Sequence, residues 1–181
     1  RNIIGRSLKR FFDLVFSGLV IVLVMSWLYP LMALLIKLSS KGPVLFVQQR
    51  TGLVNKPFGC MKFRSMRVNV DSDRKQAVKG DPRITRMGRI LRKSSLDELP
   101  QLINVLRGDM SLIGPRPRLL REISDAGRYN TRHFEAYYRC RPGMTGLWQV
   151  SGRSETDYHA RVRLDALYVS QMSPLQDLTI L

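Results

Sequence analysis

Two adjacent carboxylates, Asp97 and Glu98, stand in the stretch SSLDELPQL of a strongly basic chain. An ionised aspartate is a competent nucleophile for phosphoryl transfer, and a neighbouring glutamate can bind Mg²⁺ together with a diphosphate. The same residues also fit a structural pattern, because Ser95 and Glu98 have the spacing of a capping box with Ser95 as N-cap. A helix start would place Asp97 where exposed N–H groups keep a carboxylate ionised and attract phosphate. The stretch alone leaves capping and catalysis both open.

The charge balance of the chain narrows the class of partner. The 181 residues include 30 Lys and Arg against 14 Asp and Glu, which gives a formal net charge of +16. This balance indicates a polyanionic partner: nucleic acid, an anionic membrane surface or a phosphate-bearing substrate. A predicted short helix carries Arg83, Arg86, Arg89 and Arg92 three residues apart, which favours a surface that faces phosphate or membrane. The sequence lacks aromatic-studded basic strands and helix-turn-helix cues, so we expect no nucleic-acid partner.

Two other sequence features bound the chemistry. The chain has no GxxxxGK[ST] stretch, which argues against a P-loop ATPase. Cys60 and Cys140 are the two cysteines, and they do not have metal-ligand spacing. We therefore expect reduced thiols in a cytosolic compartment.

An uncharged apolar run of 23 residues extends from Leu14 to Ile36. As a helix it would be about 35 Å long, enough to cross a bilayer core of about 30 Å. Pro30 lies within the run, where it removes a backbone hydrogen bond and kinks a helix. Basic residues flank the run on both sides, which suggests that both ends face the cytoplasm. These residues alone leave a spanning helix and a re-entrant helix equally open.

The remaining chain predicts a small α-rich α/β domain. An apolar strand over Val44–Gln48 and a second strand around Met61 and Phe63 suggest a β-hairpin across a Gly-containing turn. An apolar stripe that ends at Gly108 predicts a helix packed on a core; its residues are Leu99, Leu102, Ile103 and Leu106. The charged interval 119–138, with Phe134, Tyr137 and Tyr138, is compatible with an amphipathic helix along a membrane surface.

Five motifs in order resemble one known family. They are KRFFD before the apolar run, GPVLFVQQRTG, KFRSM, the long stretch DPRITRMGRILRKSSLDELPQLINVLRGDMSLIGPRP, and RPGMTGLWQVSGR. The chain closely resembles the catalytic domain of the bacterial monotopic phosphoglycosyl transferases, the bacterial sugar transferase family, over nearly its whole length. The resemblance implies transfer of a hexose-1-phosphate from a UDP-hexose to undecaprenyl phosphate, with UMP as the other product and Mg²⁺ as the cofactor.

The resemblance also implies roles for individual residues. Asp97 matches the family nucleophile, which forms a phosphosugar-aspartyl intermediate, and Glu98 matches its partner acid. Both carboxylates are the expected metal ligands. Basic and polar positions are expected to bind the substrate phosphates and the nucleotide; they are Lys62, Arg64, Arg92, Arg116, Gln149 and Arg153. Asp165 and Asp177 match recurrent acids whose role the resemblance leaves open.

The family's membrane anchor is a re-entrant helix broken near a proline, and Pro30 matches that position. Tyr29 stands where members often carry serine, which could satisfy a freed carbonyl. We therefore expect residues 1–41 to form a re-entrant membrane helix in the inner leaflet of the bacterial cytoplasmic membrane. Residues 42–181 would form the catalytic domain on the cytoplasmic face. The longer members carry further N-terminal transmembrane helices, which we expect to precede Arg1.

Several alternatives stay open at the level of sequence. Glucose, galactose and an N-acetylated hexose all fit, although GLWQVSGR resembles the large-type members that use glucose or galactose. A homodimer is compatible with the sequence. A direct-displacement transferase would need no covalent step, and a basic membrane-anchored binding module without turnover would also explain the charge.

Overall fold

The computed structural model describes residues 3–68, 80–119, 139–151 and 158–180. Its helices and strands, with the turns between them, follow in chain order: α1 (Ile3–Val20), a π-helical turn (Ile21–Met25), α2 (Ser26–Ser39), β1 (Leu45–Thr51), a 3₁₀ turn (Leu53–Asn55), β2 (Pro57–Phe63), α3 (Arg86–Ser94), a 3₁₀ turn (Leu96–Glu98), α4 (Gln101–Arg107), β3 (Ser111–Ile113), β4 (Gly143–Thr145), α5 (Leu147–Val150), α6 (Tyr158–Gln171) and α7 (Pro174–Ile180). The described part of the chain is helix-rich with two small sheets, which agrees with the predicted α-rich α/β class.

The apolar run forms one helix, Ile4–Ser39, long and apolar enough to cross a membrane. Pro30 lies inside α2, and the helix continues past it to Ser39. The backbone irregularity comes earlier, in the π-helical turn, where the Ser26 N–H donates to the carbonyl of Ile21. Val22 and Leu23 are each 67% exposed, and other large apolar side chains of this helix are also exposed, which suits a lipid environment. The structure is thus compatible with membrane association, while re-entry stays a prediction.

The chain divides into two compact units. The first comprises Arg1–Gly18, Gln49–Gly59 and Leu102–Leu181, and the second comprises Leu19–Gln48 and Cys60–Gln101. The predicted boundary between residues 41 and 42 separates a membrane helix from a catalytic domain, and it stays a prediction.

The second unit has its core along one face of α2. The buried side chains recur along the end of the π-helical turn and α2 and meet one residue of β2 and one of α3; they are Met25, Leu28, Met32, Ile36, Phe63 and Leu91. The Tyr29 ring lies 5.6 Å from the Phe63 ring, centroid to centroid. Tyr29 therefore packs as an aromatic against Phe63.

The predicted hairpin is present as β1 and β2, which pair in a two-stranded sheet. The Gly52 N–H donates to the Lys56 carbonyl at one end, and the Arg64 N–H donates to the Val44 carbonyl at the other. These two pairings show that the strands run in opposite directions. β1 reaches Thr51, three residues beyond the predicted strand.

The first unit is organised around a short parallel pair of strands. β3 and β4 pair with Ser111 opposite Gly143 and Ile113 opposite Thr145. The buried Asp13 carboxylate of α1 accepts hydrogen bonds from the Ser111 hydroxyl (2.7 Å) and from the Leu112 N–H (3.1 Å). The polar start of the N-terminal helix is therefore built into this unit.

Asp177 has a structural role in the same unit. Its carboxylate pairs with Lys9 of α1 at 2.5 Å and accepts a hydrogen bond from the buried Tyr168 hydroxyl at 2.6 Å. Burial, followed by the hydrogen bond to Asp177 and then by the Asp177 charge, raises the pKa of Tyr168, so the phenol stays protonated as a donor. These contacts join α1, α6 and α7.

The predicted arginine helix is shorter than expected. α3 begins at Arg86, with Thr85 as its N-cap, whose hydroxyl accepts from the Gly88 N–H at 2.9 Å. Arg83 precedes the helix and pairs with Asp81 at 2.6 Å, so placing it on the helix face was wrong.

A helix ending before Gly108 is confirmed as α4, and Leu102 on it is buried. Leu99 precedes the helix and Leu106 is 37% exposed, whereas Val105 is fully buried, so the predicted stripe is confirmed only in part. The predicted interfacial helix at 119–138 lies outside the described residues, apart from Leu119.

Gly88 sits where α3 crosses the chain at Ser65, and a Cβ built there would overlap the Ser65 carbonyl. We expect Gly88→Ala to lower the free energy of unfolding by about 1–3 kcal/mol, although alanine favours helix by about 1 kcal/mol. Gly5→Ala, also helical but with open space around its Cβ, is the matched control and should be neutral or stabilising. Thermal unfolding in lipid nanodiscs measures both, and equal stability of the two variants would contradict the prediction.

Candidate active site

Asp97 lies in a tight turn between two helices. α3 ends at Ser94, and Ser95 adopts a left-handed conformation with φ of 59°. The single turn Leu96–Glu98 follows, closed by the Glu98 N–H donating to the Ser95 carbonyl at 3.1 Å. The Ser95 side chain makes no capping hydrogen bond, so the capping-box interpretation was wrong. Ser95 reverses the chain after α3 and thereby presents the two carboxylates.

Glu98 is held by an ion pair with Lys62 of β2. The Lys62 Nζ lies 2.5 Å from the Glu98 Oε1, and the two side chains are 20% and 27% exposed. A partly buried pair at this distance fixes both side chains more firmly than an exposed pair would be fixed. The Glu98 side chain thus contacts the hairpin through Lys62, whereas in a capping box it would bond to the backbone of Ser95.

Burial dominates the electrostatics of Asp97. The side chain is buried, and this desolvation raises the pKa of the Asp97 carboxyl; the Lys62 charge opposes the increase, Glu98 adds to it, and Arg92 opposes it. A backbone hydrogen bond lowers the pKa, in the direction expected of a helix start, but burial outweighs it. Lys62 and Arg92 favour the ionised Asp97 carboxylate, whereas burial and Glu98 disfavour it.

Arg92 completes this cluster from the last turn of α3. Its Nε donates to the Ser65 hydroxyl at 2.8 Å, which orients the guanidinium. Four of the predicted site residues are therefore brought together in the second unit: Lys62, Arg92, Asp97 and Glu98. Ser65, in the KFRSM motif, was not predicted, although its place two residues after a strand could have suggested a role.

Arg64 binds the backbone just past the end of α2. Its Nη1 and Nη2 donate to the carbonyls of Lys41 (2.9 Å) and Ser40 (2.6 Å), just past the end of α2. Gly42, with φ of 125°, allows this approach, since a Cβ there would overlap the guanidinium. A cation at a helix C-terminus is favourable, so these bonds describe an anchor for α2. The predicted substrate contact of Arg64 stays a prediction.

Arg116 and Gln149 belong to the first unit. The Arg116 guanidinium lies over the indole of Trp148, 5.4 Å from the ring centroid, and Arg161 lies 5.1 Å from the same centroid. Gln149 is buried and donates from Nε2 to the Met144 carbonyl at 3.2 Å. Trp148 and Arg161 were not predicted. Arg153 lies outside the described residues.

Asp97 and Glu98 can be assessed as magnesium ligands from their chemistry. Across the described ranges, no group of three His, Cys, Asp or Glu side chains could hold a metal ion. Mg²⁺ commonly uses one or two carboxylates, substrate phosphates and water rather than a complete protein cage. The two adjacent carboxylates fit that mode of binding, which a diphosphate substrate would complete.

Known proteins resemble the chain over nearly all of its length. The profile of the bacterial sugar transferase family matches residues 4–181. The undecaprenyl-phosphate galactose phosphotransferase of Salmonella typhimurium is 43% identical over 195 residues, covering 98% of this chain and 39% of that protein. The UDP-glucose:undecaprenyl-phosphate glucose-1-phosphate transferase of Caulobacter vibrioides is 46% identical, covering 95% and 66%. The exopolysaccharide production protein ExoY of Rhizobium meliloti is 40% identical, covering 98% and 83%. The chain thus spans about two fifths of the Salmonella protein.

The raised pKa of Asp97 makes a prediction about stability. Because the folded state binds this proton more tightly than the unfolded state, ionisation weakens folding above the folded-state pKa, and the cost vanishes below the ordinary carboxyl pKa. We expect Asp97→Asn to raise the Tm at neutral pH by roughly 2–4 °C, the change that about 1 kcal/mol produces at this chain length.

A pH series of Tm values checks this prediction. The gain in Tm from Asp97→Asn should disappear below about pH 4, where the Asp97 carboxyl of the wild type is protonated and the two proteins are both uncharged at this position. Glu98→Gln is the matched control: it also removes one negative charge, but it breaks the Lys62 ion pair, so no gain is expected. A neutral-pH Tm at or below that of the wild type would contradict the expected cost of burying Asp97.

Proposed function

Because the chain belongs to the bacterial sugar transferase family, we propose that it transfers a hexose-1-phosphate from a UDP-hexose to undecaprenyl phosphate. The products would be undecaprenyl-diphosphate-hexose and UMP, in the first membrane step of surface polysaccharide synthesis. The names of the Salmonella and Caulobacter relatives support galactose or glucose as the sugar. The observation that carries the proposal is the buried Asp97 carboxylate beside Lys62 and Arg92.

The proposed reaction has two steps at one phosphorus atom. The Asp97 carboxylate attacks the phosphorus that bears the hexose, a carboxylate-oxygen-to-phosphorus bond forms, and the bond to the bridging oxygen breaks. UMP leaves with the electron pair. The phosphate oxygen of the lipid then attacks the same phosphorus and releases the Asp97 carboxylate. A covalent intermediate lets a soluble and a membrane-bound substrate use the site in turn.

The charged neighbours of Asp97 support this chemistry. Lys62 and Arg92 favour the ionised carboxylate that the attack requires, and Arg92 is oriented by Ser65 to meet phosphate charge. Glu98, held by Lys62, would bind Mg²⁺ together with Asp97. A bound Mg²⁺ would neutralise diphosphate charge and so reduce its repulsion of the carboxylate.

The membrane arrangement that we infer is a re-entrant N-terminal helix at the cytoplasmic face of the inner membrane. Within the first unit, Asp13 of this helix accepts a hydrogen bond from Ser111. Within the second unit, Arg64 donates to the carbonyls of Ser40 and Lys41 after the end of the helix. Basic flanks on both sides and Pro30 within the run support entry and exit at one face.

The covalent step is tested by intact mass of the protein with Mg²⁺ and separate UDP-sugars, without lipid. We expect a hexose-phosphate adduct on the wild type that hydroxylamine removes, as it does from an acyl phosphate. Asp97→Asn should give no adduct and lose transfer by more than about 1,000-fold. Asp109→Asn is the control: Asp109 accepts a hydrogen bond from Asn104, and its loss should leave the adduct intact.

The outcomes separate three mechanisms. An adduct on Asp97→Asn would show that another residue is the nucleophile. No adduct on the wild type, with UMP released once lipid phosphate is supplied, would replace the covalent step by direct displacement. No adduct and no UMP under either condition would leave a basic membrane-anchored binding module.

The opposing charges around Asp97 predict opposite pH shifts. Because Lys62 lowers and Glu98 raises the pKa of Asp97, Lys62→Met should move the acidic limb of single-turnover UMP release to higher pH, and Glu98→Gln should move it to lower pH. Lys93→Met, which removes an exposed cation of α3, is the control and should leave the limb in place. Shifts in the same direction for Lys62→Met and Glu98→Gln would refute Asp97 as the titrating nucleophile.

A further inference from the structure

The ion pair between Lys62 and Glu98 uses a carboxylate that the proposed magnesium site also requires. The Lys62 Nζ lies 2.5 Å from the Glu98 Oε1. A carboxylate oxygen that binds Mg²⁺ lies about 2.0–2.1 Å from the metal. A metal ion on Glu98 would therefore stand close to the Lys62 ammonium, and the two positive charges would repel each other. Within the second unit, Glu98 is thus already paired with a cation of the chain itself.

The backbone holds both residues of this pair in place, so that only their side chains can separate. Lys62 lies in β2, which pairs with β1, and beside it the Arg64 N–H donates to the Val44 carbonyl at 2.8 Å. Glu98 ends a single turn that its own N–H closes on the Ser95 carbonyl at 3.1 Å. A lysine side chain has a flexible four-carbon stem. Lys62 can therefore leave Glu98 by rotation about side-chain bonds, without a change in the backbone.

The pair is exposed enough to exchange with ions from solution. Its side chains are 20% and 27% exposed, so water reaches both charges. A fully buried pair would leave an uncompensated charge in the interior when it opened, and that cost would keep it closed. Lys62 also lowers the pKa of the buried Asp97 more than any other neighbouring charge does. Lys62 is therefore the main counter-ion of both carboxylates.

Arg92, the second cation of the cluster, is bound differently. Its Nε donates to the Ser65 hydroxyl at 2.8 Å, and the Ser65 carbonyl accepts the Thr85 N–H at 3.1 Å. A metal ion bound by the two carboxylates would leave these hydrogen bonds intact. Of the two cations that lower the pKa of Asp97, Lys62 is therefore the one whose bonding partner is also an expected metal ligand.

We propose that Lys62 and a divalent cation compete for the Glu98 carboxylate. In the metal-free protein Lys62 neutralises Glu98, and it gives up this carboxylate when the metal binds. Metal without nucleotide is then held weakly, because its binding separates the ion pair. A diphosphate offers the released ammonium new oxygen partners and so favours the exchange. This inference rests on the proposed function, which supplies the metal and the diphosphate.

The first test measures the affinity for metal in the absence of nucleotide. Mn²⁺, which prefers the same oxygen ligands as Mg²⁺, is titrated onto the protein in phosphatidylcholine nanodiscs, whose lipid has no net charge. Electron paramagnetic resonance reports the free and bound metal. Lys62→Met removes the competing charge, and we expect it to tighten Mn²⁺ binding by about tenfold or more. Lys62→Gln, which keeps a hydrogen-bond donor for Glu98 without the charge, should also tighten it and decides if Lys62→Met fails to fold.

Two control variants separate this competition from the general effect of charge. Arg92→Gln removes the other cation that acts on Asp97 but leaves Glu98 paired with Lys62. Lys93→Met removes an exposed cation of α3. Each should tighten Mn²⁺ binding by less than about threefold at physiological salt.

Thermal unfolding supplies a second measurement. In EDTA, Lys62→Met should lower the Tm by roughly 2–4 °C, because Glu98 loses its partner beside Asp97. In saturating Mg²⁺ this difference from the wild type should close, since the metal then supplies the positive charge in place of Lys62. A difference that persists or grows in Mg²⁺ would show that Lys62 supports the metal ligand, and it would overturn the competition.

The outcomes of the Mn²⁺ titration decide the proposal separately from the activity. Unchanged or weaker binding in Lys62→Met, or no binding in either that variant or the wild type, would overturn the competition. Equal tightening in Lys62→Met and Arg92→Gln would reduce the effect to general charge and overturn it as well. Tighter binding in Lys62→Met in a protein without transfer would support the competition while the proposed function fails. Transfer that requires Mg²⁺, without such tightening, would support the function alone.

Discussion

The buried Asp97 carboxylate is the constraint on which the arrangement of the second unit depends. A desolvated carboxylate destabilises a fold unless cations stand beside it. Lys62 supplies one cation from β2, and Arg92 supplies the other from the last turn of α3, where Ser65 orients it. The left-handed Ser95 then turns the chain so that the carboxylates meet both. Hairpin, helix and turn thus meet at one carboxylate whose ionised form is unfavourable for stability and which we propose as the nucleophile.

Periodicity made much of the fold accessible from sequence. The uncharged run predicted the long N-terminal helix, and the apolar spacing over Leu99–Leu106 predicted the helix that forms as α4, because apolar residues at helical spacing indicate a helix. Ser95 was misread, since whether a serine caps the next helix or ends the previous one depends on packing such as the Gly88–Ser65 crossing. Arg83 was misassigned because its partner Asp81 holds it in the turn before α3.

The candidate site, like the fold, was predicted from the sequence only in part. Family motifs pointed to Asp97, Glu98, Lys62 and Arg92, which the structure brings together. Motif matching did not reveal that Arg64 binds the backbone just past the end of α2, because that contact depends on how the chain folds after the helix. It also could not reveal Arg161, because the contact with Trp148 joins residues with no periodic relation and depends on the approach of β3 to β4.

Arg64 and Lys62 stand two residues apart on one strand and its extension, so under the proposed function this spacing would couple the membrane to the chemistry. Arg64 donates to the carbonyls just past the end of α2, and Lys62 pairs with Glu98, next to the proposed nucleophile Asp97. The depth to which the N-terminal helix settles in lipid would therefore set the height of the two carboxylates above the bilayer, because only one residue lies between Lys62 and Arg64. Bilayer thickness and headgroup packing would then act as determinants of substrate choice, since only a lipid phosphate carried at that height would meet the site.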